Sequence, residues 1–164
     1  IANDPGVELN PTLSWEINVL GLEKLLRICK LNGVKQFIYS SSGSVYGVKK
    51  EKKVTEKLSL VPISTYNKTK MIAERVILSY SEKNFKTHII RPATVCGISP
   101  RMRLDLVVNT MFKCAMQDGV ITVNNPSIWR PILDINDCVK AVPASCVIPK
   151  HWSSFPSQYK KIYT

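Results

Sequence analysis

Apolar residues recur every three or four positions between residues 10 and 31, and this spacing predicts a long helix. Asn10 is suited to cap that helix, Pro11 fits its first position, and Asn32-Gly33 is a typical exit. Five residues recur at this helical spacing: Leu13, Ile17, Leu20, Leu25 and Ile28. The apolar run 35–40 then predicts a short buried strand. A helix, a glycine turn and a strand in this order indicate one step of a parallel sheet.

The pattern continues after a polar loop, residues 47–64. The further predicted elements are a helix over 65–83, a strand over 86–92, a helix over 104–119, a strand over 120–123, a strand within 130–134 and a helix capped by Asn136. No period persists beyond Val142, and three prolines are expected to break any element there: Pro143, Pro149 and Pro156.

Length and composition are those of one ordinary domain, with 164 residues of which 45% are apolar. No apolar run reaches the roughly 18 residues of a membrane span. The formal net charge is +11, but many of the lysines cluster in the polar loop and near the end of the chain, without interleaved aromatic residues. We therefore predict no nucleic-acid partner and no membrane partner, and keep nucleic-acid binding only as an alternative suggested by charge.

The five cysteines are odd in number and contain no Cys-x-x-Cys pair. Neither a disulfide framework nor a metal site is predicted from them. Reduced thiols in a cytoplasmic compartment are the preferred interpretation.

Candidate chemistry lies where the first predicted strand ends, at Ser40, Ser41 and Ser42. Ligands of open parallel sheets bind at the carboxyl ends of the strands. Tyr66 and Lys70 follow, one helical turn apart, so both side chains can point the same way. An ammonium group beside a phenol favours the phenolate and lowers its pKa, and a serine hydroxyl can bond the same substrate oxygen. Together these groups would form an acid/base device for an alcohol–ketone pair.

A second Tyr-x-x-x-Lys pair, Tyr46 and Lys50, opens the lysine-rich loop rather than a helix with an apolar stripe. Nothing predicted from the sequence holds these two side chains together, so we do not place the reaction there. Tyr66 taken alone could equally be a tyrosine that packs on the sheet at the start of a helix.

Four segments in order resemble the extended short-chain dehydrogenase/reductase family, and more closely its NAD-dependent epimerase/dehydratase group acting on nucleotide sugars. They are INVLGLEKLL (17–26), FIYSSSGSVYG (37–47), STYNKTKMIAE (64–74) and HIIRPATVCG (88–97). The resemblance covers Ile1 to about Val142. It implies an α/β fold, a partial doubly wound Rossmann-type parallel sheet with helices on both faces. Residues 1–97 would carry the catalytic set, 98–142 would begin a small substrate-binding region, and 143–164 would be an irregular tail.

The resemblance also implies roles for individual residues. Ser42 would bond the reacting sugar hydroxyl, Tyr66 would be the general base and acid, and Lys70 would lower the Tyr66 pKa and hold the nicotinamide ribose. The implied cofactor positions are Asn18, Ser40, Ser41, Tyr66, Lys70, Pro92 and Ala93. The implied substrate positions are Ser42, Thr94 and Arg130, the last suited to grip a diphosphate. Asn18 as an ordinary helix-interior residue and Arg130 as a surface ion pair stay open.

The implied cofactor is NAD or NADP, with NAD favoured, and the implied substrate is a nucleotide sugar. Family members commonly dimerise, and the full-length protein is expected to be a homodimer through helices 11–31 and 66–81. Four residues would partly face the partner subunit: Trp15, Leu22, Ile72 and Val76.

The sequence departs from the family at its glycines. None of the 7 glycines forms the Gly-x-x-Gly-x-x-Gly loop that cradles the cofactor pyrophosphate. We therefore expect the first four strands to lie upstream of Ile1, and the 164 residues alone to bind NAD weakly and to be inactive. Gly43 and Ser44 stand where family dehydratases usually have acidic residues, which favours an epimerase or reductase over a dehydratase. A non-catalytic homologue that acts as a binding protein remains the other alternative.

Overall fold

The computed structural model describes residues 1–51 and 53–147, with side chains described as far as Val142. This part of the chain contains short parallel strands with helices between and around them. In chain order the elements are α1 (Asp4–Leu9), α2 (Pro11–Trp15), a π-helical segment (Glu16–Gly21), α3 (Leu22–Leu31), β1 (Gln36–Ser40), a 3₁₀ turn (Gly43–Tyr46), α4 (Thr65–Tyr80), β2 (Lys86–Ile90), β3 (Thr94–Cys96), α5 (Val107–Asp118), β4 (Ile132–Asp134) and α6 (Ile135–Val147).

The strands pair in parallel, as a βαβ arrangement requires. β1 lies beside β2, with Phe37 opposite Thr87 and Tyr39 opposite Ile89. β3 lies beside β4 in a second parallel pair. α3 and α4 cover β1 and β2, and α6 contacts both of these strands as well. The predicted α/β class with a partial parallel sheet is confirmed.

The core lies between α3, α4 and the first strand pair. Leu26 and Ile77 are fully buried, and Phe85 is 1% exposed. Leu22 and Ala73 complete this cluster, against which aromatic residues of the strands pack. Burial of these side chains supplies the main driving force that holds α4 in place over the sheet.

The apolar stripe identified on the first helix is not the face that packs in the core. Its five residues, Leu13, Ile17, Leu20, Leu25 and Ile28, are 42–59% exposed. The side chains that pack are Leu22 and Leu26, which meet α4. The helix carries apolar residues on two faces, and a spacing of three or four fits either of them. The expectation that Leu22 faces a partner subunit is therefore wrong, since this side chain is 8% exposed within the core.

The first helix begins and ends as predicted but is not a uniform α-helix. The Leu13 amide donates to Asn10 Oδ1 at 3.0 Å, and Gly33 leaves the helix with φ +73°. Between these ends, residues 16–21 form a π-helical segment. A π turn shifts the side chains that follow by one position, which the hydrophobic period does not reveal. Helix α1 was not predicted either; it is capped by Asn3, whose Oδ1 accepts from the Gly6 amide at 2.6 Å.

Two strand predictions need correction. Residues 120–123 form no strand, and Val120, Ile121 and Val123 are half or more exposed. A strand needs a neighbour for its backbone groups, and no described strand lies beside this segment. The strand that does form, β3, occupies Thr94–Cys96, where Pro92 was expected to end regular structure.

The last helix differs from prediction at both ends. α6 begins at Ile135 rather than after Asn136, and the Asn136 amide donates to Asp134 Oδ1 at 2.8 Å. α6 also continues through Pro143 to Val147. An interior proline costs a helix about 3 kcal/mol, which the packing of α6 on the strands can offset. Pro149 and Pro156, with the rest of the predicted tail, lie outside the described residues.

Candidate active site

The first turn of α4 carries Tyr66 and Lys70 and is fixed by its own cap. Ser64 precedes the helix, and its Oγ accepts from the Asn67 amide at 3.2 Å. Lys70 Nζ donates to the carbonyl oxygen of Ser40 at 2.8 Å, at the last residue of β1. The ammonium lies 4.6 Å from the centroid of the Tyr39 ring and 5.8 Å from that of Tyr66. The structure therefore brings the predicted lysine to the end of the predicted strand.

The serine segment runs beside the end of β2. The Ser41 amide donates to the Ile90 carbonyl at 2.7 Å, and the Gly43 amide donates to the Pro92 carbonyl at 2.8 Å. A Cβ at position 43 would lie 3.2 Å from that Pro92 oxygen, so only glycine fits without a shift. β1 ends at Ser40, and Ser42 lies two residues beyond it. Ser40, Ser41 and Pro92, three of the predicted cofactor residues, therefore lie close together at the ends of β1 and β2.

Ser42 is joined to the first turn of α4 through other side chains. Its Oγ lies 2.7 Å from Ser44 Oγ, and Ser44 Oγ in turn donates to Asn67 Oδ1. Asn67 directly follows Tyr66, so this chain of hydrogen bonds couples the serine loop to the helix of the predicted acid/base. The sequence analysis predicted no contact between Ser44 and Asn67, because they are 23 positions apart.

Electrostatics at Tyr66 differ from the expectation. Burial raises the pKa of the Tyr66 phenol, Asp4 raises it further, and Arg103 opposes the shift. Lys70 is not among the groups that shift this pKa, and its predicted effect on Tyr66 stays a prediction. Burial lowers the pKa of the Lys70 ammonium, while Glu74 opposes that shift. Tyr66 therefore keeps its proton at neutral pH here.

Asn18 lies on the π-helical segment and reaches α4. Its Nδ2 donates to Thr69 Oγ1 at 3.2 Å, and Thr69 is fully buried. Asn18 and Lys70 also line one open cleft of about 560 Å³, together with Tyr39 and apolar residues of the first helix. The structure thus places two of the predicted cofactor residues at a common cleft.

The polar groups here fit the nicotinamide end of a dinucleotide. Ser41 is 4% exposed, and its Oγ has no hydrogen-bond partner among the described residues. A buried hydroxyl without a partner is unusual, and a ligand group would satisfy it. Lys70 adds a cation at the same strand end. The described residues include no glycine-rich loop that would fit the pyrophosphate.

The fold brings the segments that carry the predicted substrate residues Thr94 and Arg130 close together. The Thr94 amide donates to the Pro131 carbonyl at 3.2 Å, which brings the residue after Arg130 against β3. The Arg130 side chain is exposed and forms no ion pair with a described residue. The surface ion pair that stayed open for Arg130 is therefore not found in the described part. Ala93, beside Thr94, is half-buried.

One cluster beside the site was not predicted at all. Arg91 forms a two-pronged ion pair with Glu74 and also bonds Tyr46. The only signal in the sequence is that Glu74 stands four positions after Lys70, on the same side of α4. The pairing with Arg91 spans 17 positions and joins two elements, so spacing alone could not give it.

Other classes of site find no support in the part of the chain described. No cluster of three or more His, Cys, Asp or Glu residues there could hold a metal ion. Cys29, Cys96, Cys114 and Cys138, the cysteines with described side chains, are free thiols. Among the same residues, no helix combines the length and the apolar character that crossing a membrane requires.

Comparison with known proteins places these residues in a family. The sequence pattern of the NAD dependent epimerase/dehydratase family matches residues 2–148. The curated uncharacterised UDP-glucose epimerase YtcB of Bacillus subtilis (strain 168) is 33% identical over 129 residues, which are 77% of this chain and 40% of YtcB. The chain thus spans less than half the length of that relative.

Solved structures agree. UDP-glucuronic acid 4-epimerase from Bacillus cereus, in complex with UDP-glucuronic acid and NAD, superposes with a TM-score of 0.70 at 30% identity, over 81% of this chain and 42% of the enzyme. RMD from Pseudomonas aeruginosa, complexed with NADPH, gives a TM-score of 0.73 at 26% identity, over 87% of this chain and 51% of RMD. With the sequence match over nearly the whole described region, these likenesses show that the chain belongs to the NAD-dependent epimerase/dehydratase family of enzymes.

Proposed function

We propose that this chain is the part of an NAD(P)-dependent nucleotide-sugar epimerase or reductase that carries its acid/base groups. The observation that carries the proposal is the junction of β1 with the first turn of α4. Lys70 Nζ reaches the Ser40 carbonyl at 2.8 Å, while Ser42 is linked through Ser44 to the residue after Tyr66. The serine loop and the first turn of α4 therefore meet at the end of a parallel strand, where ligands of such sheets bind.

Each of these groups has a distinct task in the proposed reaction. Tyr66 exchanges the proton of the reacting sugar oxygen, and Ser42 hydrogen-bonds the same oxygen and fixes its direction. Because burial raises the pKa of Tyr66, the phenol carries the proton that the sugar oxygen would take up during reduction of a ketone. Lys70 joins α4 to the end of β1 through its bond to the Ser40 carbonyl. Its positive charge lies 5.8 Å from the centroid of the Tyr66 ring.

The cofactor in this proposal is NAD or NADP, with NAD favoured. When bound, it accepts or returns the hydride and, in its oxidised form, brings a cationic ring whose charge would favour the Tyr66 phenolate. Ser41, Lys70 and Asn18 would hold its nicotinamide half, since they supply a buried hydroxyl, an ammonium and an amide around one strand end. Ser40, Pro92 and Ala93, the other predicted cofactor residues, would flank the same half of the cofactor.

The surroundings of Ser42 favour an epimerase or reductase over a dehydratase. A dehydratase needs an acidic group to remove a proton next to the ketone, and the positions after Ser42 are Gly43 and Ser44. A longer side chain at position 43 would meet the Pro92 carbonyl, and Ser44 is already bonded to Asn67. No carboxylate therefore stands directly beside Ser42 in this loop.

The rest of the proposal concerns partners and location. Arg130 and Thr94 would contact the nucleotide sugar, with the exposed guanidinium on the diphosphate. The whole protein would act as a homodimer in the cytoplasm, where free thiols such as those of this chain stay reduced. The contact would use the first helix and α4, but not the buried Leu22.

The test is turnover by the full-length gene product with NAD or NADP and a panel that includes UDP-glucose and UDP-glucuronic acid, with products identified by NMR. Tyr66→Phe keeps the ring but removes the titrating hydroxyl, so turnover should fall about 10²–10⁴-fold while folding is preserved. Tyr80→Phe is the matched control, because Tyr80 lies at the far end of the same helix and bonds Glu23. Equal losses from both changes, or no reaction with any nucleotide sugar, would contradict the proposal.

A further inference from the structure

A buried ion pair joins α4 to the end of β2, outside the serine, tyrosine and lysine set. Glu74 is 2% exposed, and its carboxylate accepts from Arg91 Nε at 3.0 Å and from Nη2 at 2.7 Å. The third prong, Nη1, donates to Tyr46 Oη at 2.6 Å. The guanidinium carbon also lies 4.9 Å from the centroid of the Tyr46 ring. The carboxylate and the tyrosine hydroxyl are therefore both engaged by one arginine.

This cluster grips the turn that contains Ser42 from its far end. Tyr46 is the last residue of the 3₁₀ turn, and Ser42 is the residue that caps its beginning. The beginning is tied to β2 by the Gly43 amide, which donates to the Pro92 carbonyl at 2.8 Å. The end is tied to β2 by Tyr46 and Arg91, the residue before Pro92. Both ends of the short turn are thus fastened to consecutive residues of the same strand exit.

The third member connects the turn to the helix of the acid/base. Glu74 stands one helical turn after Lys70 and therefore on the same side of α4. The serine loop and α4 then meet at two places, through Ser44 with Asn67 and through Arg91 with Glu74. Two separate attachments define both the distance and the tilt between a loop and a helix, which one attachment cannot do.

The energetics of the cluster favour a role in geometry. Hydrogen bonding to Glu74 raises the pKa of the Arg91 guanidinium, so Arg91 stays charged. A buried ion pair often adds little net stability compared with well-packed apolar side chains, because desolvation offsets the attraction. Its planar, two-pronged geometry nevertheless admits a single arrangement of the partners. An ion pair of this kind beside the proposed site is suited to holding the neighbouring turn in one position.

We propose that Glu74, Arg91 and Tyr46 form a positioning network that holds Ser42 against the first turn of α4. The network thereby sets the direction of the substrate hydroxyl relative to Tyr66. This inference rests on the proposed function, because it assigns the network an effect on the same reaction. Tyr46 itself has a buried hydroxyl committed to Arg91, so it acts through Ser42 and not on substrate.

The experiment is a double-mutant cycle in the full-length protein, with the nucleotide sugar that the wild type turns over. Tyr46→Phe keeps the ring stacked on Arg91 and removes only the bond to Nη1. We expect kcat to fall about tenfold, since small misplacements of a reacting group are costly, while KM and the Kd for NAD change less than about twofold. In the Ser42→Ala background, the same change should lower kcat less than about twofold, because the group it positions is gone.

A second variant tests the same network, and a control tests whether the dependence on Ser42 is specific to it. Arg91→Lys keeps a cation for Glu74 but lacks the prongs to bond Tyr46 as well, so it should show the same dependence on Ser42 even if Tyr46→Phe proves unstable. Tyr80→Phe, which breaks the bond to Glu23 at the other end of α4, should show no dependence on Ser42. Losses of equal size in the two backgrounds would mean that the cluster is general scaffolding, and would overturn the inference.

The outcomes also separate this inference from the proposed function. Suppose that Tyr66→Phe loses turnover, while Tyr46→Phe lowers kcat equally with Ser42 present and with Ser42→Ala. This result overturns the positioning network but leaves the proposed function standing. Full turnover in Tyr66→Phe, or no turnover by the wild type, overturns the proposed function and with it the inference.

Discussion

The serine–tyrosine–lysine region and the segment leading to Arg130 are built in opposite ways. In the first region, Tyr46, Thr69 and Glu74 are buried, and hydrogen bonds link the strand ends to α4. In the second, residues 116–132 are all exposed, and Trp129 is 98% exposed. The contrast begins already in α5, where Phe112 is 67% exposed.

This difference separates two kinds of information in the chain. Groups that move protons must be held within fractions of an ångström, and Tyr46, Thr69 and Glu74 supply buried contacts in the turn and helix that carry the proposed set of Ser42, Tyr66 and Lys70. A surface that selects a sugar can remain open until substrate or other parts of the protein cover it. Under the proposed function, this chain encodes the chemistry of the site more completely than the choice of substrate.

The largest expected effect compares two phenylalanines, one in the core under α4 and one on α5, where the exposed segment begins. Phe85→Ala removes a ring that is 1% exposed in the core, and should lower the free energy of unfolding by about 3–5 kcal/mol. Phe112→Ala makes the same chemical change on the exposed face of α5 and should cost less than about 0.5 kcal/mol. Urea denaturation of the full-length protein measures both. Similar losses would mean that Phe112 is covered in the whole protein, and the contrast between the regions would disappear.

A smaller effect is expected at the ion pairs. Glu74→Gln leaves the partly buried Arg91 charge without its counter-ion and should lower the free energy of unfolding by about 3 kcal/mol. The control is Glu82→Gln, which breaks the 2.9 Å pair with Lys30, whose members are 41% and 47% exposed. Exposed pairs contribute about 0–1 kcal/mol, so this variant should be close to wild type. Denaturation curves that coincide for the two variants would show that the network does not depend on the charge of Glu74.

The elements around the site could be predicted because local sequence determines them. Asn10 and Ser64 cap their helices through bonds to residues three positions away, and the spacing of Tyr66 and Lys70 places both on one turn. β1 and β2 were recognisable as apolar runs bounded by polar residues. These features require no knowledge of which distant segments meet.

The remaining features depend on contacts between segments that are distant in the sequence. The bonds of Arg91 to Glu74 and Tyr46 span 17 and 45 positions, and no periodicity pairs them. The pKa of Tyr66 follows from burial, which is set by the packing of the whole loop and helix rather than by Lys70 alone. The helical spacing of the first helix does not tell which of its two apolar faces packs in the core, since the face that carries Leu22 and Leu26 is the one that is buried. The predicted roles of Ser42, Tyr66, Lys70 and Arg130 themselves stay predictions until variants are assayed.

The smallest expected effect lies in the exposed region, at Arg130. If this guanidinium grips the diphosphate of a nucleotide sugar, Arg130→Ala should raise KM about tenfold, equivalent to about 1.4 kcal/mol, because a charge-assisted bond in an open site is partly replaced by water. The value of kcat should change less than twofold and the unfolding free energy should not change, since Arg130 forms no ion pair with a described residue. Arg101→Ala is the control, because Arg101 is also exposed and lies in the same predicted substrate-binding region, residues 98–142. Equal KM values for the two variants would remove Arg130 from the substrate site, whereas a large fall in kcat would mean that the open segment closes over the reacting groups and belongs to the rigid region after all.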